Sequence, residues 1–220
     1  MTFERARTEE KKSIRVKTIK DAALKLFYNK SYSEISMAGI AKELNFTRGN
    51  LYKYYQTKEA IYLDIIIDDF ILWISNLEKK LSETPPKTTE EFIVVWVQAS
   101  DEHSQLIKLF SIMLTILERN TSLDKLVSFK KALYAEIPKL IQLLKTHLPS
   151  LSEKQIMSFL DFHINYSIGL YPFCSPCSLQ IEAVKQSQVP YTFPNYKEKL
   201  TEHLTIYLSH ILKTTDPANL

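Results

Sequence analysis

The stretch TRGNLYKYYQTKEA, residues 47–60, holds one of only three glycines in a chain of 220 residues. Gly49 lies at the start of a predicted helix, next to Arg48 and close to Lys53. Glycine costs a free helix about 1 kcal/mol relative to alanine, so this position needs a reason. A residue without a Cβ lets the backbone approach a partner closely, and the basic neighbours indicate that the partner is anionic.

Helical patterning on both sides of this stretch predicts a helix-turn-helix. Apolar residues recur at i, i+3, i+4 and i+7 over residues 9–29, which predicts a long first helix. Ser36 is a suitable N-cap for a short second helix, and Asn45 tolerates the left-handed backbone of a tight turn. Thr47 then caps a third helix, expected to run to about Tyr55. Two short helices joined by such a turn form the motif, with small and basic residues beginning the second.

The rest of the chain is also predicted to be helical. Nine prolines and three glycines are few turn formers for this length, and no alternating strand pattern occurs, so the fold class is all-α. The fourth helix begins after Thr57, and the capping-box sequence that starts at Thr88 opens the next. Further helices are expected over about 101–118, 122–147, 153–171 and 195–213, and residues 172–194 are expected to be irregular around a short helix at 179–186. Pro138 should kink or divide its helix.

The charge is distributed unevenly along the chain. The net charge is +3, but residues 1–60 hold 13 Lys and Arg against 7 Asp and Glu, whereas residues 61–220 hold 15 against 18. A basic first segment on a slightly acidic body predicts a small anion-binding domain joined to a larger domain with another task.

Several classes of function find no support in the sequence. The N-terminus has no apolar core of a signal peptide, and acidic residues interrupt the apolar segments, so a cytoplasmic protein without membrane spans is expected. There is no P-loop, GxSxG, HExxH or convincing carboxylate pair, so we expect no catalytic residues and no cofactor. Cys174 and Cys177 could be half of a zinc site, a redox pair or two simple thiols in a loop; we favour the thiols and expect no metal.

Polar residues of the opening stretch suit a phosphate backbone. Tyr52 and Tyr54 offer hydroxyl groups, and Lys53 offers charge. Lys58 opposes the dipole in the first turn of its helix, which predicts an anion nearby. Taken singly, each charge also fits a solvated surface. Together with the turn and the basic segment, they favour DNA binding.

The run AALKLFYNKSYSEISMAGIAKELNFTRGNLYKYYQTKEAIYLDII resembles the DNA-binding domain of the tetracycline-repressor (TetR) family, over roughly residues 8–66. The signature positions are Thr47, Gly49, Leu51, Tyr52, Tyr55, Lys58 and Glu59. Two positions depart from the family pattern, Ser31 after the first helix and Asn45 in the turn, where glycine is frequent. The resemblance implies phosphate contacts from Ser36, Thr47, Tyr52, Tyr54 and Lys58, and base contacts from Arg48, Gly49, Asn50 and Lys53.

The resemblance also assigns tasks outside the motif. It implies a DNA-binding domain at residues 1–60 and, at 61–220, a helical domain that binds a small-molecule effector and forms a homodimer through about 153–171 and 195–213. A two-fold dimer would bind a palindromic double-stranded operator. The N-terminal arm, with Arg5, Arg7, Lys11 and Lys12, either adds DNA contacts or is a disordered tail.

An apolar pocket with a few polar groups would suit a hydrophobic or cationic aromatic effector. Its candidate residues, each also compatible with an ordinary core position, are Trp96, His103, Phe110, Met113, Tyr134, Phe162, His163 and Tyr166. The resulting prediction is a ligand-responsive regulator, with repression as the expected mode and activation as the alternative. The rival is a small-molecule binding protein whose helix-turn-helix no longer functions.

Overall fold

The computed structural model describes residues 2–213, with side chains from Glu10 onward, and every regular element in that range is helical. The all-α fold class is therefore confirmed. The helices are α1 (Thr2–Asn29), α2 (Met37–Glu43), α3 (Arg48–Tyr52), α4 (Lys58–Glu83), α5 (Thr89–Glu102), α6 (Ser104–Ile112), α7 (Leu123–His147), α8 (Glu153–Cys174), α9 (Ser178–Ser187) and α10 (Tyr196–Lys213). A π-helical turn at Met113–Leu117 and single 3-10 turns at Tyr32–Glu34 and Glu118–Asn120 supplement them.

The helix caps at Ser36 and Thr47 are the residues that the sequence predicted. Ser36 Oγ accepts the N–H of Gly39 at 3.1 Å, and Thr47 Oγ1 accepts that of Asn50 at 3.3 Å. Asn45 has φ of 54°, the left-handed backbone predicted for the turn. The same kind of side-chain acceptor caps four later helices, through Thr57, Thr88, Ser152 and Asn195. A cap depends on residues three apart, so local sequence is enough to predict it.

Other helix boundaries differ from the prediction. Helix α3 ends at Tyr52 rather than near Tyr55, and α5 continues to Glu102, where His103 leaves helical backbone angles and ends it. Pro138 does not divide its helix, which is continuous over Leu123–His147. Pro172 also lies inside a helix, because α8 continues two residues beyond it to Cys174. A proline removes one backbone donor, a loss that a long packed helix tolerates.

The first of two compact units comprises the residues up to Asp68 together with Ile112–Ala132. Helix α1 packs on α2, and α2 packs on α3. The beginning of α4 closes this core, since the Tyr62 hydroxyl donates to the Ala23 carbonyl at 2.8 Å and its ring lies 5.5 Å from that of Phe27. Apolar contacts in this unit therefore fix the orientation of the short helices α2 and α3.

The second unit comprises Asp69–Ser111 and the residues from Leu133 onward. Helix α10 packs on both α5 and α8. At the centre of this unit Trp96 is fully buried, with its ring 5.2 Å from Trp73, 5.1 Å from Phe159 and 5.3 Å from His163. Helices α4 and α7 each contribute residues to both units.

Candidate nucleic-acid interface

The helix-turn-helix is anchored from beneath by apolar residues. Ile40 and Leu51 are fully buried, and Ala41 is nearly so. The turn is held by the Phe46 N–H, which donates to the Ala41 carbonyl at 2.8 Å. Arg15 of α1 lies over the Phe46 ring at 5.2 Å, a contact between distant residues that the sequence analysis missed. Burial of one face of α3 leaves its other face to solvent.

That outer face carries the predicted DNA contacts. Six of the predicted residues around α3 are exposed, namely Thr47, Arg48, Gly49, Asn50, Tyr52 and Lys53, and Ser36 before α2 is exposed as well. Tyr54 is half-buried. The side chains of Arg48 and Lys53 form no ion pair with another residue in the described range. The structure thus presents two cations and several hydroxyl and amide groups on one short helix and its flanks.

The two capping hydroxyls can serve a phosphate while they cap. Ser36 Oγ and Thr47 Oγ1 each accept a backbone N–H. A hydroxyl that accepts one hydrogen bond still has its own proton to donate. Each is exposed, so that proton is available to a phosphate oxygen without loss of the cap.

Gly49 is not required by the fold. A Cβ built on Gly49 would have no neighbouring atom within 4 Å, and the backbone there has no positive φ. Alanine or a larger residue would therefore be accommodated in the isolated protein. The fold therefore gives no reason for glycine at this position, and close approach to a partner stays a prediction.

Lys58 has hydrogen-bond partners within the protein. Its Nζ donates to the carbonyl oxygens of Tyr32 at 2.9 Å and Ile35 at 2.6 Å, and it lies 4.1 Å from the centre of the Tyr32 ring. Two carbonyls and a ring face within the protein satisfy this cation, so its position in the first turn of α4 does not by itself require an external anion, and a phosphate contact from Lys58 stays a prediction. Lys58 joins the first turn of α4 to the segment that precedes α2.

A second polar link stabilises the other side of the first unit. The Tyr55 hydroxyl donates to Asp64 Oδ2 at 2.8 Å, and Lys125 of α7 forms an ion pair with Asp64. Burial of the Tyr55 ring, followed by the nearby Asp64 carboxylate, raises the pKa of the phenol well above its usual range. Asp64 therefore connects the end of the helix-turn-helix with the beginning of α7, a connection between residues 61 positions apart.

Family comparisons decide the class of protein that carries this interface. Residues 68–214 match the model of the tetracyclin repressor-like C-terminal domain, and residues 19–65 match that of the tetR family of bacterial regulatory proteins. The chain belongs to the tetR family. It is a transcriptional regulator with a DNA-binding helix-turn-helix, and the resemblance noted in its sequence is confirmed.

Individual relatives agree with the family. A segment of 96 residues is 31% identical to the uncharacterized HTH-type transcriptional regulator YuxN of Bacillus subtilis strain 168, covering 42% of this chain and 33% of YuxN. The match thus spans a third of that relative's length. The crystal structure of Thermus thermophilus FadR, a TetR family transcriptional repressor in complex with lauroyl-CoA, aligns with a TM-score of 0.56 at 18% identity, over 88% of this chain and 93% of FadR. This likeness shows a shared fold.

The basic arm of this TetR-family regulator is only partly described. Lys11 and Lys12 are exposed on α1. Arg5 and Arg7 lie outside the residues whose side chains are described. None of the helices in the described range is long and apolar enough to span a membrane.

The effector residues predicted for the TetR-family regulator do not form a single group. Trp96, Phe110 and His163 are buried in the second unit, and His103 lies 2.6 Å from Asp69. Burial lowers the pKa of the His163 imidazole to about 4. The half-buried Phe162 and Tyr166 stack on one another at 5.7 Å, and Met113, also half-buried, belongs to the first unit.

The inward orientation expected for Tyr134 is wrong. Its side chain is 64% exposed. Helix α7 buries the positions of Phe129, Leu140 and Leu144, and Tyr134 follows Phe129 by five residues, about 140° away around the helix. The sequence contained this signal in the spacing of the apolar residues of α7.

A groove of the second unit holds none of the predicted effector residues. It has a volume of about 660 Å³ and runs between α4 and α7, with Ile74 and Leu143 among its apolar residues and Glu136 and Lys139 among its charged ones. Glu136 and Lys139 pair with each other at 2.7 Å. These two charges of the groove thus compensate each other.

The two cysteines are free thiols. Cys174 is the half-buried last residue of α8, and burial raises its pKa above the usual range. Cys177 is exposed just before α9, where its N–H donates to Gln180 Oε1 at 2.8 Å. Across the described side chains, no group of three or more His, Cys, Asp or Glu residues is arranged to hold a metal ion.

Proposed function

We propose that this TetR-family regulator is a repressor whose homodimer binds a palindromic operator and releases it when a small hydrophobic or aromatic effector binds. Residues 1–60 would bind the DNA, and residues 61–220 would bind the effector and the second subunit. The observation that carries the proposal is the exposed face of α3, where Arg48 and Lys53 have no ion-pair partner in the described range. Unpaired cations on an exposed recognition helix are suited to a polyanion.

The predicted contact residues divide into two groups by the contacts they would make. Ser36, Thr47, Tyr52 and Tyr54 carry hydroxyl groups and would donate to phosphate oxygens. Arg48, Asn50 and Lys53 carry the donors and acceptors that read base edges in the major groove, and Gly49 would allow their helix to approach. Lys58 is left out of this assignment because its Nζ is already bound by two carbonyls.

The proposed dimer surface combines α8 and α10. Phe162 stacks on Tyr207 with ring centres 4.0 Å apart, and Tyr166 stacks on His203 at 4.5 Å. All four rings are only half-buried, and the neighbouring Ile206 is 63% exposed. Partly covered aromatic rings on two packed helices favour burial against a second copy. A two-fold axis would then relate the two recognition helices of the dimer.

Release of the operator would depend on α4 and α7. Each helix contributes residues to both units, and Asp64 with Lys125 joins the two helices within the first unit. An effector that favours one arrangement of α4 and α7 in the second unit would thereby bias the first. Such a switch needs an effector with unequal affinity for the DNA-bound and free states.

The test is selection of bound sites from fragmented genomic DNA, followed by the salt dependence of binding to the best site. We expect a palindromic site and an affinity that falls steeply with salt, with a log–log slope of about 0.9 per phosphate neutralised. Arg48→Ala and Lys53→Ala should weaken binding and relax base preference, whereas Lys87→Ala, at an exposed lysine of the second unit, should not.

Absence of any enriched site at low salt would instead support a small-molecule binding protein with a non-functional helix-turn-helix. A reporter gene behind the selected site separates repression from activation. We expect expression to rise when the regulator is deleted, and a fall would identify an activator.

A further inference from the structure

A buried carboxylate in the second unit lacks a partner on one side. Asp69 of α4 is only 4% exposed. Its Oδ1 lies 2.6 Å from His103 Nδ1, while its buried Oδ2 has no hydrogen-bond partner in the described part of the chain. A buried polar atom without a partner is costly, and native proteins seldom retain one without a use.

Asp69 differs in this respect from the acids just before it. Asp64 pairs with Lys125, and Asp68 pairs with Lys20. Asp69 is more buried than either, yet within the described range its carboxylate contacts a single imidazole nitrogen, and no lysine or arginine there pairs with it. Its environment therefore offers less compensation for a negative charge than those of its more exposed neighbours.

Aromatic residues follow Asp69 along α4. Trp73 follows Asp69 by four residues and so shares its helix face. The Trp73 ring is 5.7 Å from that of Phe70 and 5.2 Å from that of Trp96. Trp96 is fully buried, and its Nε1 also has no partner in the described range. Ring faces attract cations, and a buried carboxylate adds a full negative charge to that attraction.

We infer that Asp69, Trp73 and Trp96 form a binding site for a protonated amine on an aromatic or aliphatic skeleton. The ammonium would donate to Asp69 Oδ2, and the skeleton would contact the rings. A hydrogen-bond acceptor elsewhere on the ligand would satisfy Trp96 Nε1. This inference rests on the proposed function in one respect only, since it names the class of effector for the body of the regulator.

The chain offers an internal probe for this site. It has two tryptophans, Trp73 and Trp96, and both belong to the proposed site. Intrinsic fluorescence of the full chain can be followed at pH 8 while a ligand is added. Three soluble compounds of similar skeleton carry different charges: 2-phenylethylammonium is cationic, 2-phenylethanol is neutral and 3-phenylpropanoate is anionic.

We expect 2-phenylethylammonium to give a saturable change and to bind at least about tenfold more tightly than either other compound. In Asp69→Asn the preference for the cation should be lost, while the weak affinity for 2-phenylethanol should stay. Asp161→Asn makes the same chemical change at an exposed position of α8 and should leave all three affinities unchanged. Equal binding of the three compounds, or a cation preference that survives Asp69→Asn, would overturn the inference.

A second measurement covers the case in which Asp69→Asn fails to fold. In the unmodified chain, 2-phenylethylammonium should raise the thermal unfolding midpoint, and the alcohol and the carboxylate at equal concentration should not. A midpoint that the amine does not raise more than the other two compounds would contradict the inference without any variant.

Operator binding separates this inference from the proposed function. Specific binding of the amine without release of operator DNA would support the site and refute its role as the effector switch. Release of the operator by another compound, with no amine preference at Asp69, would refute the site and leave the proposed function intact.

Discussion

Lys58 Nζ lies 2.6 Å from the carbonyl oxygen of Ile35, so the cation that begins α4 is bound by the backbone of the segment preceding α2. It also donates to Tyr32 at 2.9 Å. We predict that Lys58→Ala lowers the free energy of unfolding by about 1–2 kcal/mol, because two buried or half-buried carbonyls lose a charged donor. Urea unfolding measures this loss.

Lys53→Ala is the matched control, since Lys53 is exposed and its side chain has no ion pair in the described range. It should weaken DNA binding without changing stability. An unchanged urea midpoint in Lys58→Ala, combined with loss of DNA affinity, would contradict the structural role and restore the phosphate contact.

Substitutions at Gly49 should change DNA binding without preventing folding. Gly49→Ala should raise the free energy of unfolding by about 0.5 kcal/mol, because the added Cβ meets no atom within 4 Å and glycine is a poor helix residue. Gly49→Leu should also fold but should abolish operator binding. Thermal unfolding and DNA titration of the two variants test this, and normal affinity in Gly49→Leu would remove our explanation for this glycine.

The Tyr55–Asp64–Lys125 link should be energetically coupled. Tyr55→Phe removes the hydroxyl that donates to Asp64 at 2.8 Å and should cost about 1 kcal/mol. A double-mutant cycle with Lys125→Met should give a coupling free energy of about 0.5 kcal/mol or more, since both groups share one carboxylate. Tyr52→Phe, which alters an exposed ring, should leave stability unchanged. Strict additivity would show that Asp64 does not act as a shared partner.

His163 should make stability depend on pH. Burial lowers the pKa of its imidazole from 6.5 to about 4, so the unfolded chain takes up a proton in a range where the folded chain does not. The stabilisation from the neutral ring is therefore complete above pH 6.5 and is lost as the pH falls toward 4. The loss amounts to at most about 3 kcal/mol.

Unfolding by urea at several pH values tests this dependence. His163→Phe should reduce the fall in stability between pH 6.5 and pH 4, whatever its stability at neutral pH. His210→Phe, at an exposed histidine of α10, serves as the control and should keep the fall of the parent protein. Identical pH profiles for the parent and His163→Phe would exclude this histidine as the cause.

The proposed dimer surface can be tested by introducing one charged side chain. Ile206 is 63% exposed next to the stacked rings of α10, and Ile206→Glu should convert the dimer to monomers by burying an unpaired carboxylate. Ile181→Glu, on α9 where Ile181 is 50% exposed, should leave the dimer intact. Sedimentation of both variants gives the mass in solution. A dimeric Ile206→Glu would place the interface elsewhere.

Local chemistry in the sequence determined the helical class and the position of the helix-turn-helix. The caps at Ser36 and Thr47 and the left-handed Asn45 depend on residues within one turn of the chain, so they could be predicted without knowledge of packing. The family signature likewise lies within one short segment. These features determine which residues form the motif and at which residue α3 begins.

The tertiary structure alone decided which charged side chains have partners. Lys58 meets carbonyls 23 and 26 residues away, Asp64 meets Lys125, and Asp69 meets His103 34 residues along the chain. The spacing of apolar residues along the sequence does not reveal such pairs, because they form only when separate helices pack together. The sequence therefore indicated Lys58 as a phosphate contact and gave no sign of Asp69, whereas packing bound the first internally and buried the second with one oxygen unpartnered in the described range.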